Sequence, residues 1–255
     1  YVMDSQENTI LYTNQRFRKA FGGNVQSTGI EECLRQGAKS EDSLYFREVY
    51  SKEENRWFDL HSTRINWVDG RKVLLCTIYD VTDKKLYQQK IERQANNDFL
   101  TGLYNRRSFE ESLDKEIENV EQTGAKSYVT IFDIDHFKEV NDTYGHSNGD
   151  IVIKALCKMM KEKSKDMGLA FRYGGEEFVI LFHDVELSKV MNVVEDIRTE
   201  FRCYYFHFMN KDGITCSCGV AEYTKGESSK AWFNRADSAL YKAKESGRNR
   251  TVISE

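Results

Sequence analysis

The run YVTIFDI, residues 128–134, limits the possible folds more than any other stretch of the chain. It is almost continuously apolar and rich in β-branched and aromatic side chains, so it reads as a strand buried on both faces. Such a strand needs a layer of structure on either side. Yet the run leads into Asp133 and Asp135, and charges are rarely set at the end of a buried strand without a partner. A second acidic stretch, RYGGEEF at 172–178, lies between the apolar runs 169–171 and 178–182. Gly174-Gly175 suits a tight hairpin turn needing φ > 0, with Glu176 and Glu177 presented at its tip. Two adjacent carboxylates beside an apolar strand are costly unless a cation or a proton neutralises them. On the hairpin alone, a solvated acidic rim is the alternative. Together with Asp133, Glu176 points to a divalent cation such as Mg²⁺, which takes one or two carboxylates and leaves its other positions to phosphates and water.

At 255 residues there is room for two domains. A net charge of -4 gives no global electrostatic reason to expect nucleic-acid or anionic-membrane binding, so any functional basic residues must be local. No apolar run approaches the ~18 residues of a membrane span. The six cysteines show no zinc-knuckle spacing and sit mostly in apolar runs, which suggests a reducing, cytoplasmic setting. Cys216 and Cys218 alternate on an expected strand and read as core residues. The sequence opens on Tyr1 rather than Met, so a membrane or sensory segment upstream is compatible with it.

Residues 1–82 read as short strands around one or two small helices. The expected pieces are strands at 2–3 and 10–12, a helix in NQRFRKAFGG, a short helix at 30–36, and strands at 43–50, 56–67 and 72–81, the last two joined by the turn VDGR. The DSxxxxxLYxN-like opening and the closing DVTD resemble a PAS domain, which implies an antiparallel half-barrel acting as a sensor or dimerisation module, with a possible small-molecule ligand. Cys33, in EECLRQ, lacks the context of flavin-binding members, and His61 reads as a surface or core histidine rather than a haem ligand. Residues 83–100 form a charged linker helix with a narrow stripe of Tyr87, Ile91 and Ala95. It either pairs with its copy in a second subunit or is a solvated spacer.

From residue 98 onward helices and strands interleave around a central hairpin, which suggests an antiparallel sheet covered by helices. Helices are expected at 108–122, 149–163 and 232–246, with another carrying Val190, Val194, Ile197 and Phe201; strands are expected at 213–223 and near 250–253.

Four blocks carry a resemblance: NDFLTGLYNRRSF (97–109), FDIDHFKEVNDTYGHSNGD (132–150), RYGGEEF (172–178) and ADSALYKAKESGRN (236–249). In this order they resemble GGDEF-type diguanylate cyclases across 97–253, with Glu176 in place of the Asp. The resemblance implies an α+β chain: a PAS-like domain over 1–82, the linker helix over 83–100, and a palm-like (ferredoxin/nucleotidyl-cyclase-like) cyclase domain over 101–255. It implies condensation of two GTP into cyclic di-GMP with loss of two pyrophosphates, in a homodimer, with Mg²⁺ or Mn²⁺. Asp133, Glu176 and the Ile134 carbonyl match the family's metal ligands. Glu177 matches a carboxylate that either helps the metal or activates the hydroxyl. The amides and side chains of the segment with Phe137 and Lys138 suit triphosphate oxygens, and Arg172 joins the substrate-binding set. Lys244 and Arg248, four apart at a helix end, suit one anion. Asn141 and Asp150 match the guanine-reading pair. The family's RxxD product-binding motif would fall at 165–168, which here is KDMG. Product inhibition at that position is not expected. The rival reading is an inactive GTP-binding sensor or scaffold, against which stands the presence of every signature carboxylate.

Overall fold

The computed structural model describes residues 1–4, 9–21, 44–52, 54–209 and 213–255, and it divides into two compact units, Tyr1–Glu92 and Arg93–Glu255. The helix expected at 30–36, the double glycine after Phe21, most of the turn after Asp4, and Cys33 lie outside the described residues.

In the first unit, β1 (Val2–Asp4), β2 (Ile10–Tyr12), β3 (Leu44–Ser51), β4 (Arg56–Asn66) and β5 (Lys72–Asp80) form an antiparallel sheet in the order β2-β1-β5-β4-β3. The two-residue period of β4 turns Phe58 and Leu60 inward against Tyr1, Met3, Leu74, Cys76 and Phe17, the last from α1 (Gln15–Phe21). On the other face His61 packs edge-on between Phe46 and Tyr79, at ring separations of 4.8 and 5.5 Å. The VDGR turn closes with Gly70 at φ 85°, a torsion only glycine adopts without strain. Helix α2 (Thr82–Asn96) spans the boundary between the units and buries none of its residues; Leu86, Tyr87 and Ile91 are exposed.

The second unit holds α3 (Arg106–Thr123), β6 (Tyr128–Ile134), α4 (Phe137–Tyr144), α5 (His146–Ser164), β7 (Gly168–Arg172), β8 (Glu177–Phe182), α6 (Leu187–Cys203), β9 (Cys216–Glu222), α7 (Ser229–Glu245) and β10 (Thr251–Ile253). Their sheet runs β10-β9-β6-β8-β7, with β6 at its centre and every β6 residue buried. Alternate side chains of β6 and β8 feed two cores. Phe132, Ile134, Phe178 and Ile180 pack with α5 and α6, while Val129, Ile131 and Val179 pack with α3 and α7. Cys216 and Cys218 are fully buried in the first of these cores. Against β9, α7 lies so close that a Cβ on Gly219 would fall 2.2 Å from the Ala236 carbonyl.

The sheet departs from the antiparallel expectation at one edge. β10 pairs parallel to β9 because the chain returns through α7, and a helical crossover brings the second strand back in the same direction. Helix ends moved by a turn or less for local reasons. α3 begins at Arg106 because the Asn105 side chain accepts the Ser108 N–H at 3.0 Å, and it ends at Gly124 with φ 71°. Beside the opposite edge, the segment after α2 lies along β7: Tyr104 bridges to both Asn97 and Phe171, and its carbonyl accepts the Arg172 N–H at 2.8 Å.

Candidate active site

The register of β6 and β8 places Asp133 opposite Glu177, and the Ile134 N–H donates to the Glu176 carbonyl at 3.3 Å. The strand end and the hairpin therefore deliver three carboxylates to one end of the sheet. Asp133 is 5% exposed, and Lys244 from the last turn of α7 sets its ammonium 2.8 Å from Asp133 Oδ2. Burial raises the Asp133 pKa above the usual carboxylate range despite Lys244 and the nearby Arg248 charge. Burial also raises Glu176 and Glu177, and in each the charge of Asp133 adds to the shift. A site whose acids resist ionisation for want of positive charge suits a further cation.

The four expected ligands do not form a ready-made cage: among the described residues, no three His, Cys, Asp or Glu side chains converge as a metal site. The physical reason is the ion's own coordination chemistry. A hard cation such as Mg²⁺ uses few carboxylates and completes its shell with phosphate and water oxygens, and an all-oxygen donor set of Asp133 with the hairpin glutamates fits that pattern.

The hairpin turn corrects one expectation. Neither Gly174 nor Gly175 adopts a positive φ, because the connection spans 173–176 rather than a two-residue turn. What Gly174 provides is space: a Cβ there would lie 2.8 Å from Glu177 Oε2 and would displace that carboxylate, whereas Gly175 faces open space. Arg172, expected to bind substrate, also braces the turn. Its Nη1 donates to both Asp98 oxygens at 3.0 and 3.1 Å, Nε to the Gly174 carbonyl at 3.2 Å and Nη2 to the Gly175 carbonyl at 2.8 Å. This fork shapes the turn that carries Glu176. Although burial opposes it, donation from the Thr101 hydroxyl and from Arg172 holds the Asp98 pKa below its ordinary value. Sequence reasoning left Asp98 unassigned, since its partner lies 74 residues away.

On the other side of the strand end, His136 turns the chain with φ 56° into α4. Phe137 buries its ring in the core, so only its backbone amide remains for a ligand, while Lys138 is exposed. Asn141 lies against α5 at Gly149, where a Cβ would fall 2.0 Å from Asn141 Oδ1. The close approach sets the Asn141 amide beside the residue that precedes Asp150, joining the two predicted base readers at one helix junction.

Arg248 arrives by a different route from the one expected. It is not on the helical face of Lys244: α7 ends at Glu245, and the Gly247 N–H to Lys244 and Arg248 N–H to Ala243 bonds form a Schellman closure. Arg248, at φ 61°, is exposed, and its charge acts on Asp133.

Residues 95–250 match the family described as diguanylate cyclase, GGDEF domain. The chain is 36% identical over 191 residues to the diguanylate cyclase DgcM of Escherichia coli, covering 72% of this chain and 44% of that protein. It is 35% identical over 207 residues to DgcZ of the same species, covering 78% of this chain and 65% of that one. The chain thus spans from under half to under two thirds of the length of these relatives. Among solved structures, the coiled coil and GGDEF domain of DgcB from Caulobacter crescentus, in complex with c-di-GMP, superimposes with a TM-score of 0.65 at 36% identity, covering 68% of this chain and 93% of that one. The active GGEEF domain of a Vibrio cholerae diguanylate cyclase gives 0.56 at 31% identity, covering 59% and 97%.

Proposed function

This chain belongs to the GGDEF diguanylate cyclase family, and on that premise we propose that it condenses two GTP into one cyclic di-GMP. The observation that carries the reading is the meeting of Asp133, Glu176, Glu177, Lys244 and Arg248 at one end of the sheet. The inactive-scaffold alternative is not favoured, because no signature carboxylate or basic partner has been lost.

Each 3′-hydroxyl attacks the α-phosphorus of the other nucleotide. Two phosphodiester bonds form, two bonds to pyrophosphate break, and each hydroxyl proton must be accepted. Asp133 and Glu176, with the Ile134 carbonyl, would hold a divalent cation, Mg²⁺ or Mn²⁺, which when bound neutralises triphosphate charge. Glu177, made more basic by burial and by Asp133, would help hold the cation or accept the hydroxyl proton, and its raised pKa supports the second role. The amides opening α4 and the Lys138 ammonium receive triphosphate oxygens. Lys244 exchanges Asp133 for the departing pyrophosphate, and Arg248 supports the same charge. Asn141 and Asp150 read guanine through its N1–H, 2-amino and carbonyl groups.

Residues 1–82 act as a PAS-like sensor, 83–100 as its linker and 101–255 as the cyclase; the order β2-β1-β5-β4-β3 and the unit division support this reading. Each copy supplies one set of base and phosphate residues, so catalysis joins two copies as a homodimer. GTP use and the free buried thiols fit a cytoplasmic setting, and among the described residues no helix is long and apolar enough to cross a membrane. Incubating the protein with GTP and Mg²⁺ or Mn²⁺ and resolving the products by chromatography tests the proposal. Cyclic di-GMP with two equivalents of pyrophosphate is expected; unconsumed GTP with either cation overturns it.

A further inference from the structure

Resting on that cyclase reading, we propose that Asp135 and Arg198 are positioning residues that hold Arg248 at the acidic site by gripping the residue after it. Gly247, Arg248 and Asn249 take φ of 106°, 61° and 48° in succession, and the last two carry a Cβ. Left-handed backbone is uncommon for a residue with a Cβ; Asn enters it more readily than most, whereas Arg248 needs its neighbours to hold it there.

Asn249 is fixed from three directions. Its N–H donates to Asp135 Oδ2 at 3.1 Å, while Arg198 Nη1 donates to its carbonyl at 3.0 Å and to its side-chain Oδ1 at 2.7 Å. Both anchors are themselves held. Asp135 is 4% exposed and accepts the Thr215 and Ser217 hydroxyls at 2.6 and 2.7 Å, so both its oxygens are held by residues at the start of β9 and just before it. Arg198 forks onto Glu195 through Nε and Nη2, and Glu195 also accepts the Thr251 hydroxyl at the start of β10. The hydrogen bonds of both side chains end on the protein. Their effect passes through the peptide joining Arg248 to Asn249, which sets where the exposed Arg248 side chain begins.

The test is a double-mutant cycle read by calorimetric binding of α,β-methylene-GTP with Mg²⁺, independent of turnover. Asp135→Ala and Arg248→Ala are each expected to weaken binding about ten-fold, with the double variant within about two-fold of Arg248→Ala, because one residue acts through the other. Additive losses of about a hundred-fold overturn the proposal, as does unchanged affinity in either single variant. Should Asp135→Ala lose its thermal transition, Arg198→Met replaces it in the cycle, and Arg198→Lys should recover part of the loss; absence of coupling there overturns the proposal as well. Failure of the wild-type protein to bind the analogue is a different result: it removes the cyclase reading, and the positioning role falls with it.

Discussion

Two turns border the acidic site, and they use glycine in opposite ways. The hairpin turn at 173–176 contains two glycines at ordinary torsions, where Gly174 supplies room for the Glu177 carboxylate. The turn after α7 puts two side-chain-bearing residues, Arg248 and Asn249, at positive φ and clamps them from outside. Glycine in the first is a matter of volume. Positive torsion in the second comes from composition and partners together: Gly247 takes φ 106° freely and Asn249 tolerates the left-handed region, while the bonds to Asn249 hold Arg248 between them. A glycine pair in a sequence therefore does not reveal which of its two properties, small size or torsional freedom, the fold has used.

The largest expected effect lies at the carboxylate both turns serve. Asp133→Asn should lower cyclic di-GMP formation by about a thousand-fold or more while circular dichroism stays native, since an amide is a poor ligand for a hard cation. Activity within ten-fold of wild type, a margin of about 1.4 kcal/mol, would remove Asp133 from that role. The glycines come next. Gly174→Ala pushes on Glu177 and should cost about a hundred-fold in kcat, whereas Gly175→Ala should stay within about three-fold; equal losses would mean that torsion, not volume, governs this turn. Arg172→Lys keeps the charge but not the fork, so kcat should fall about ten-fold with KM for GTP little changed. A rise in KM alone would return Arg172 to the nucleotide.

The smallest effect is on stability. Asp133, Glu176 and Glu177 have pKa values raised in the folded chain by burial, with Asp133 adding to both glutamates. A raised folded value makes a contribution that is fully present below the unfolded-chain pKa of about 4 and is lost as pH rises through the folded values. Without divalent cation, Tm should decline by a few degrees across that window, and MgCl2 should restore more of it at neutral pH than near pH ~4.5. A cation-induced shift in Tm independent of pH would show that these acids do not share the ion.

Much of this was legible in the chain. The run at 128–134 announced a doubly covered strand because only Thr130, itself β-branched, interrupts its apolar character before Asp133, and all seven of its positions are buried. The acidic pair across β6 and β8 followed from two short patterns, each ending in carboxylates. What escaped was contact at long range. The Asp98–Arg172 pair and the grip of Arg198 on Asn249 join elements 74 and 51 residues apart, and neither leaves a periodic mark. Asp135 was visible as the second acid after the strand, but nothing local distinguishes an anchor for a distant backbone from a ligand. Arg248 was misplaced because helical spacing was carried past Gly247, where the helix had already closed. The parallel β10 escaped for a related reason: three residues are too few to betray strand direction.

The borders of the second sheet bear on how copies of this protein can gather. An open strand invites another chain to extend the ladder, a hazard that the proposed pairing of two copies would sharpen. Here β7 already lends its Arg172 N–H to the Tyr104 carbonyl, and β10 is three residues long. Neither border offers a long, flat run of vacant backbone. Copies brought together as proposed would thus run little risk that the sheet seeds an endless fibre.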